Sequence, residues 1–271
     1  MSKNKSKEFY HRFLDEAGDT TFFTKGKIPS VGKVEGVSKC FLLGMVKFKE
    51  PFTPIREKII TMQKEIEADE YFKDVPSIRK KVLNGGFYFH AKDDVPEVRE
   101  KFFKFIKGID FSFEAVVGRK IYEIFSNKHN SNESEFYADL LSHLIKNKFE
   151  MGGKLILNVA QRGNSTKNTN LMRAIDTAQK RFKKTKPEKD FITDIVFNVQ
   201  YPTTEPLLTI PDYLCWVVQR VFERGDIRYF NFIENKISLV IDLYDSSKYE
   251  GYKHYYNHQN RLMPENKLSP L

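Results

Sequence analysis

Phe9-Tyr10-His11-Arg12-Phe13-Leu14-Asp15-Glu16-Ala17-Gly18-Asp19 is the stretch on which the fold turns. Phe9, His11, Phe13 and Asp15 share one face of an extended chain, and Tyr10, Arg12, Leu14 and Glu16 the other, which predicts a strand over Phe9 to Glu16. Ala17-Gly18-Asp19 is turn chemistry that ends it. The strand therefore finishes in two adjacent carboxylates that point to opposite faces, and Asp15 continues the row of Phe9 and Phe13. Working outward, Thr20 to Thr24 reads as a short second strand, and the Gly- and Lys-rich stretch from Lys25 to Ser38 as a loop. Cys40 to Phe48 is almost continuously apolar, the pattern of a strand buried on both faces. Three early strands joined by loops predict an antiparallel meander.

Helices and strands then alternate. Ile55, Ile59, Met62 and Ile66 mark a helix after Pro54 by their spacing. Asn84-Gly85-Gly86 is a turn, followed by a short strand over Phe87 to Phe89. Asp94 with Glu97 reads as a capping box for a helix lined by Val98, Phe102 and Ile106. Phe111 to Val117, Leu155 to Ala160 and Asp194 to Val199 read as strands, separated by amphipathic helices around Leu140 and Ile175. A last helix opens near Pro211 and runs to about Arg224. Strand–helix–strand units predict parallel crossovers. The expected fold is thus one α/β domain over 1–250, with the meander extended by parallel strands and helices on both faces, and a C-terminal tail over 251–271. Ribonuclease H-like domains share this order of elements.

The chain has 271 residues, 40% apolar and 30% charged, which excludes a disordered or collagen-like polymer. No apolar run approaches the ~20 residues of a membrane span, and the basic start at Met1 to Lys7 leads into no apolar signal segment. Cys40 and Cys215 stand alone in apolar runs and read as buried, reduced thiols of a cytoplasmic protein. No phosphate-loop or dinucleotide fingerprint is present. A net charge of +9 favours an acidic partner such as nucleic acid. Lys180, Arg181, Lys183, Lys184, Lys186 and Lys189 crowd one segment, suited either to phosphate contacts or to a solvated helix end.

Asp212 is the second acid of interest. On a wheel at ~100° per residue, Trp216, Gln219 and Glu223 fall within about 40° of it and Arg220 about 80° away, opposite an apolar face. Thr209-Ile210-Pro211-Asp212 also fits a capping box with Pro in the first turn. Asp15 has a parallel alternative as a residue of the strand-to-turn junction.

Phe13-Leu14-Asp15-Glu16-Ala17-Gly18-Asp19 resembles the opening Asp-Glu-Ser-Gly-Asp motif of the bacterial domain-of-unknown-function family 3800. Leu208-Thr209-Ile210-Pro211-Asp212-Tyr213-Leu214-Cys215-Trp216 is similar to that family's Leu-Gln-Ile-Ala-Asp-Tyr-x-x-Trp stretch, and Gln219-Arg220-x-x-Glu223-Arg224-Gly225-Asp226-x-Arg228-Tyr229 continues it. The resemblance runs from about Phe9 to Asp242, with Ala17 in place of the family's Ser and Thr209 in place of its Gln. It implies a ribonuclease H-like fold and an acidic site of Asp15, Glu16 and Asp212. The activity expected is phosphodiester hydrolysis on RNA or DNA with Mg²⁺ or Mn²⁺, since divalent ions held by carboxylates drive that chemistry. Asp15, Asp212 and Asp19 are then the expected metal ligands, with Thr209 and His90 in support. Arg162, Lys180, Arg181, Lys183, Lys184 and Lys186 would position the nucleic-acid backbone. The strand Leu155 to Ala160 ends in Asn158 and Gln161 and offers no acid of its own. An inactive nucleic-acid- or protein-binding module of the same fold is the alternative.

Overall fold

The computed structural model describes residues 8–161 and 168–268. Strand β1 (Phe9–Ala17) lies near the middle of the main sheet. The segment after it forms a separate two-stranded ribbon, β2 (Phe23–Thr24) and β3 (Ile28–Pro29). Strand β4 (Cys40–Phe48) pairs antiparallel with β1, placing Asp15 opposite Gly44. Helices α1 (Phe52–Ala68), α2 (Pro76–Leu83) and α3 (Pro96–Gly108) precede β5 (Phe111–Arg119), which pairs antiparallel with β4. Helices α4 (Tyr122–His129) and α5 (Glu133–Ile145) lead to β6 (Lys154–Ala160), parallel to β1 on its other side. Helix α6 (Asn168–Thr185) crosses to β7 (Asp194–Gln200), parallel to β6. Helices α7 (Thr209–Arg224) and α8 (Arg228–Ile233) precede β8 (Ile237–Asp242), parallel to β5, and the short β9 (Tyr255–Tyr256) closes that edge. The order is β7-β6-β1-β4-β5-β8-β9.

The mixed sheet is thus the expected one, but its meander is β1-β4-β5. Thr20 to Thr24 is no member of it, because only two of those residues pair, and they pair with Ile28–Pro29 instead. Phe87 to Phe89 forms no strand. Lys81 bonds the Tyr88 carbonyl and Glu67 bonds the Phe87 N–H, so side chains take the places of strand neighbours. The residues expected as a tail supply β9 and bury Leu262 and Leu268 in the core.

Period-two alternation divides the core in two. Phe13, Cys40, Leu42 and Val46 face a layer built from α1, α3 and α7. Leu14, Phe41, Leu43 and Met45 face α4, α5 and α6. This two-sided burial is why β4 reads as a continuous apolar run. In α1 the four residues picked out by spacing are the four buried ones.

Helix α7 sits close to the sheet because Gly44 leaves room for it. A Cβ on Gly44 would lie 2.4 Å from the Phe113 ring and 2.5 Å from Cys215 Sγ. The Cys215 thiol instead reaches the backbone and donates to the Asp15 carbonyl at 3.3 Å. Gly44→Val should therefore destabilise the fold by about 1–3 kcal/mol through overpacking. Gly108→Ala, where an added Cβ meets nothing within 4 Å, should be neutral or stabilising by up to about 1 kcal/mol. Urea denaturation of the two variants checks the contrast.

Candidate active site

The C-terminal end of β1 opens into a cavity of about 710 Å³. Asp15, Glu16 and Asp19 line it from β1 and its turn, Asp212 and Glu223 from α7, and His90 from the loop before α3. The polar face of α7 expected from the wheel, with Trp216, Gln219 and Arg220, is the face it turns to this cavity. Asp15 shares the α7 side of β1 with Phe13 and Ala17, as alternation requires. Its Oδ1 accepts the Glu16 N–H at 2.7 Å.

Asp212 does not cap its helix. The helix begins at Thr209 with no side-chain cap, and Asp212 Oδ2 accepts the Ala91 N–H at 2.7 Å. His90 Nε2 lies 3.7 Å from Asp212 Oδ1, and His90 Nδ1 lies 3.0 Å from Asp93 Oδ2. Burial pushes the Asp212 carboxyl above its ordinary range. His90 and the Ala91 N–H pull it down, and the neighbouring Asp94 adds to the rise. Thr209, expected in support, is fully buried and donates its hydroxyl to the Pro206 carbonyl at 2.6 Å. Its side chain is spent on the start of the helix.

The loop that carries His90 is held by Asp94. Asp94 was expected to cap α3, yet that helix has no side-chain cap. The Asp94 carboxylate is buried and accepts from Lys81 Nζ at 2.8 Å, Tyr213 Oη at 2.6 Å and the His90 N–H at 2.8 Å. Lys81 is itself buried and also donates to the Tyr88 carbonyl at 2.9 Å. Arg99 donates to the carbonyls of Ala91 and Asp94. Tyr213 follows Asp212 directly, so α7 contributes one residue to the cavity and the next to the support of the facing loop. Sequence spacing gave no signal for this pairing of Lys81 with Asp94, because each reads locally as an ordinary helix-end charge.

Asp19 is a lattice point of the turn rather than a free ligand. Its Oδ1 accepts from Lys120 Nζ at 2.7 Å and the Thr21 N–H at 2.9 Å, and its Oδ2 accepts from the Ser38 N–H and hydroxyl, both at 2.8 Å. Burial would raise its pKa, but the Lys120 ammonium and the Ser38 bonds outweigh that and hold it below the usual value. A cation binding there would have to displace a fully buried lysine. Glu223 likewise accepts the N–H groups of Lys39, just before β4, and of Cys40, its first residue. Glu16 is buried to 8% exposure. Among the described residues, no group of three or more His, Cys, Asp or Glu is placed to hold a metal ion.

The basic segment is not at this site. Helix α6 runs back from the end of β6, so Lys180 to Lys189 lie where β6 begins. Lys186 and Lys189 bond Glu150, and Ile192 N–H bonds the Phe149 carbonyl at 3.0 Å. Asp15 lies level with the other end of β6, since Leu14 registers with Val159. Seven residues of β6 at ~3.3 Å each put about 20 Å between the two ends. Arg181 is engaged with buried Asp139, and Lys183 donates to the Lys189 carbonyl at 2.8 Å. Lys180 and Lys184 are exposed. Arg162 lies outside the described residues. On β6, Asn158 is taken up by the Arg12 carbonyl and by Asn198, while Gln161 lines the cavity. Cys40 and Cys215 are free and buried, as expected. No helix among the described residues is long and apolar enough to cross a membrane.

Two outcomes follow from these contacts. Lys81→Met leaves Asp94 charged and buried without its cation and should cost about 3–5 kcal/mol in denaturant titration. Asp212 has the opposite sign. Its folded pKa is raised, so the folded chain binds more protons than the unfolded one, and stability falls as pH rises above the unfolded value of ~3.9. Asp212→Asn removes that penalty. In EDTA its melting temperature should match or exceed that of wild type at pH 7, and the gap should close towards pH ~4.

No family model matches this chain, and a search of curated proteins returns no match.

Proposed function

We propose that this cavity is the site of metal-dependent phosphodiester hydrolysis on RNA or DNA, with Asp15 and Asp212 as the ligands of Mg²⁺ or Mn²⁺. The observation that carries the reading is that two acids from opposite ends of the sequence line one cavity. One of them, Asp212, is held in a setting that disfavours its own negative charge. A bound cation would relieve that penalty. The donor chemistry fits a hard divalent ion, which takes one or two carboxylates and completes its shell with water and substrate oxygens. When bound, such an ion polarises a phosphoryl oxygen and acidifies a coordinated water.

The chain's own residues supply orientation and proton handling. Cys215 fixes α7 against the Asp15 backbone, and Ala91 fixes the Asp212 carboxylate. His90, 36% exposed between Asp93 and Asp212, is the group that would hold or move a proton at Nε2. Two further observations support a ribonuclease H-like reading: the meander β1-β4-β5 continues through parallel β6 and β7, and Asp15 lies two residues before the end of the first strand. Both motifs that resemble the domain-of-unknown-function family 3800 contribute to the cavity. The free, buried thiols go with a cytoplasmic location.

The second reading, a binding module without catalysis, draws on β6, where the neutral Asn158 is already bonded to its neighbours. Asp15→Asn separates the two. The expected result is loss of Mg²⁺- or Mn²⁺-dependent cleavage, with a melting temperature in EDTA equal to or above that of wild type, because Asn keeps the shape of Asp without its charge. Wild type alone should gain melting temperature when Mn²⁺ is added. A variant that melts lower in EDTA, beside a wild type indifferent to Mn²⁺, would establish Asp15 as structural and leave the binding module.

A further inference from the structure

The cavity that holds Asp15 and Asp212 is not uniformly acidic. Lys92 and Arg224 line it and have no acidic partner among the described residues. Arg220 lines it too, but its guanidinium is paired with Asp226 and lies 4.8 Å from the Trp216 ring centroid. Two tyrosines complete the polar wall. Tyr201 is 54% exposed and makes no ring contact among the described residues. Its backbone is nonetheless fixed, since its carbonyl accepts the N–H groups of Thr204 at 3.0 Å and Glu205 at 2.9 Å. Tyr88 is half-buried, and its carbonyl is held by Lys81 at 2.9 Å. Lys81 also lies 4.7 Å from the Tyr88 ring centroid. A ring presented to solvent from a pinned backbone, as Tyr201 is, offers a π face that loses little entropy when a flat group stacks on it, and Tyr88 adds the face that Lys81 leaves open.

The charge distribution does not favour the usual way of holding a duplex. A protein that tracks a double helix lays cations along both phosphate chains. Here the dense basic run stands about 20 Å away, at the other end of the sheet, and several of its side chains are bonded within the protein. The cavity volume of about 710 Å³ falls within the ~300–1,000 Å³ range of small-ligand sites, room for roughly one or two nucleotides.

We infer that the cavity takes an unpaired stretch of nucleic acid, with bases stacked on Tyr88 and Tyr201 and phosphates met by Lys92 and Arg224. This rests on the nucleic-acid reading above and names its substrate as a single strand. Stacking is tolerant of sequence, so recognition is of strandedness rather than of a base code.

The test is fluorescence anisotropy of the full chain with labelled RNA and DNA oligomers of about 12 nucleotides, single-stranded and as duplexes, in EDTA over a salt series. Single strands should bind at least about tenfold more tightly than duplexes. Tyr201→Ala should weaken single-strand binding by roughly 5- to 100-fold, and Tyr201→Phe should restore it. Lys92→Ala and Arg224→Ala should each flatten the salt slope by about 0.7. Lys183→Glu/Lys184→Glu, at the far end of the sheet, should change neither quantity. Tyr88→Ala repeats the test, but Tyr201 carries it, because its exposed ring is not needed for folding. Equal affinity for duplex, no binding of either form, or an unchanged affinity in Tyr201→Ala overturns the inference. Cleavage is scored separately. Mg²⁺-dependent cutting of duplex as fast as of single strand would uphold hydrolysis and overturn strand selection. Tyrosine-dependent single-strand binding without cutting would do the reverse.

Discussion

Everything at the candidate site depends on how closely α7 can approach the end of β1. That approach is a steric matter decided at one position. Gly44 stands opposite Asp15 on the neighbouring strand, and its missing side chain is the space into which Phe113 and Cys215 pack. With the helix seated there, the Cys215 thiol bonds the Asp15 carbonyl. Asp212, one turn earlier, then reaches the same cavity. Any larger residue at 44 would run into Phe113 and Cys215, and the helix could not keep this seat. The close packing of protein interiors makes such a gap worth preserving, because the surroundings cannot absorb an extra methyl group without strain.

Around this contact, the acids of the cavity are treated unequally. Asp19 is neutralised by Lys120 and bound by Ser38. Asp94 is neutralised by Lys81 and bound by Tyr213. Glu223 accepts the N–H groups of Lys39 and Cys40 where the chain enters β4. Each of these carboxylates is engaged by the fold itself. Asp212 receives one backbone N–H and a histidine at 3.7 Å, a weaker compensation for its burial. The difference separates the acids bound into the fold from Asp212, whose burial is less fully offset and which the proposed cation site would use.

Charge on the surface follows a different logic. The basic segment that stands out in the sequence closes the far end of α6 against Glu150 and Asp139. Asp139 also accepts from Tyr244 and lies 3.1 Å from His129. Burial works against its ionisation, yet its cationic neighbours and the His129 contact hold its pKa far below the usual carboxylate range. These cations support helix packing on the face away from α7. A run of lysines near a helix end is a local pattern, and which end of a sheet it reaches depends on the direction of the crossover.

Alternation and spacing are properties of neighbouring residues, so the sequence by itself determined what they control. It marked β1, β4, β5, β6 and β7, the buried stripe of α1, the side of β1 that carries Asp15 and the cavity face of α7. It also determined that Cys40 and Cys215 are interior. The short α2, α4 and α8 carried too little periodic signal to be read, and the two-residue β9 is held by pairing across the sheet rather than by its own pattern. Tertiary structure alone decided the partners of the polar groups. Asp94 and Thr209-x-x-Asp212 both satisfy the spacing of a capping box, and neither caps: Lys81 and Tyr213 take up the Asp94 carboxylate, and the Ala91 N–H takes up Asp212. A carboxylate in the interior is bound by whichever donors the fold brings to it, and that choice is made in three dimensions.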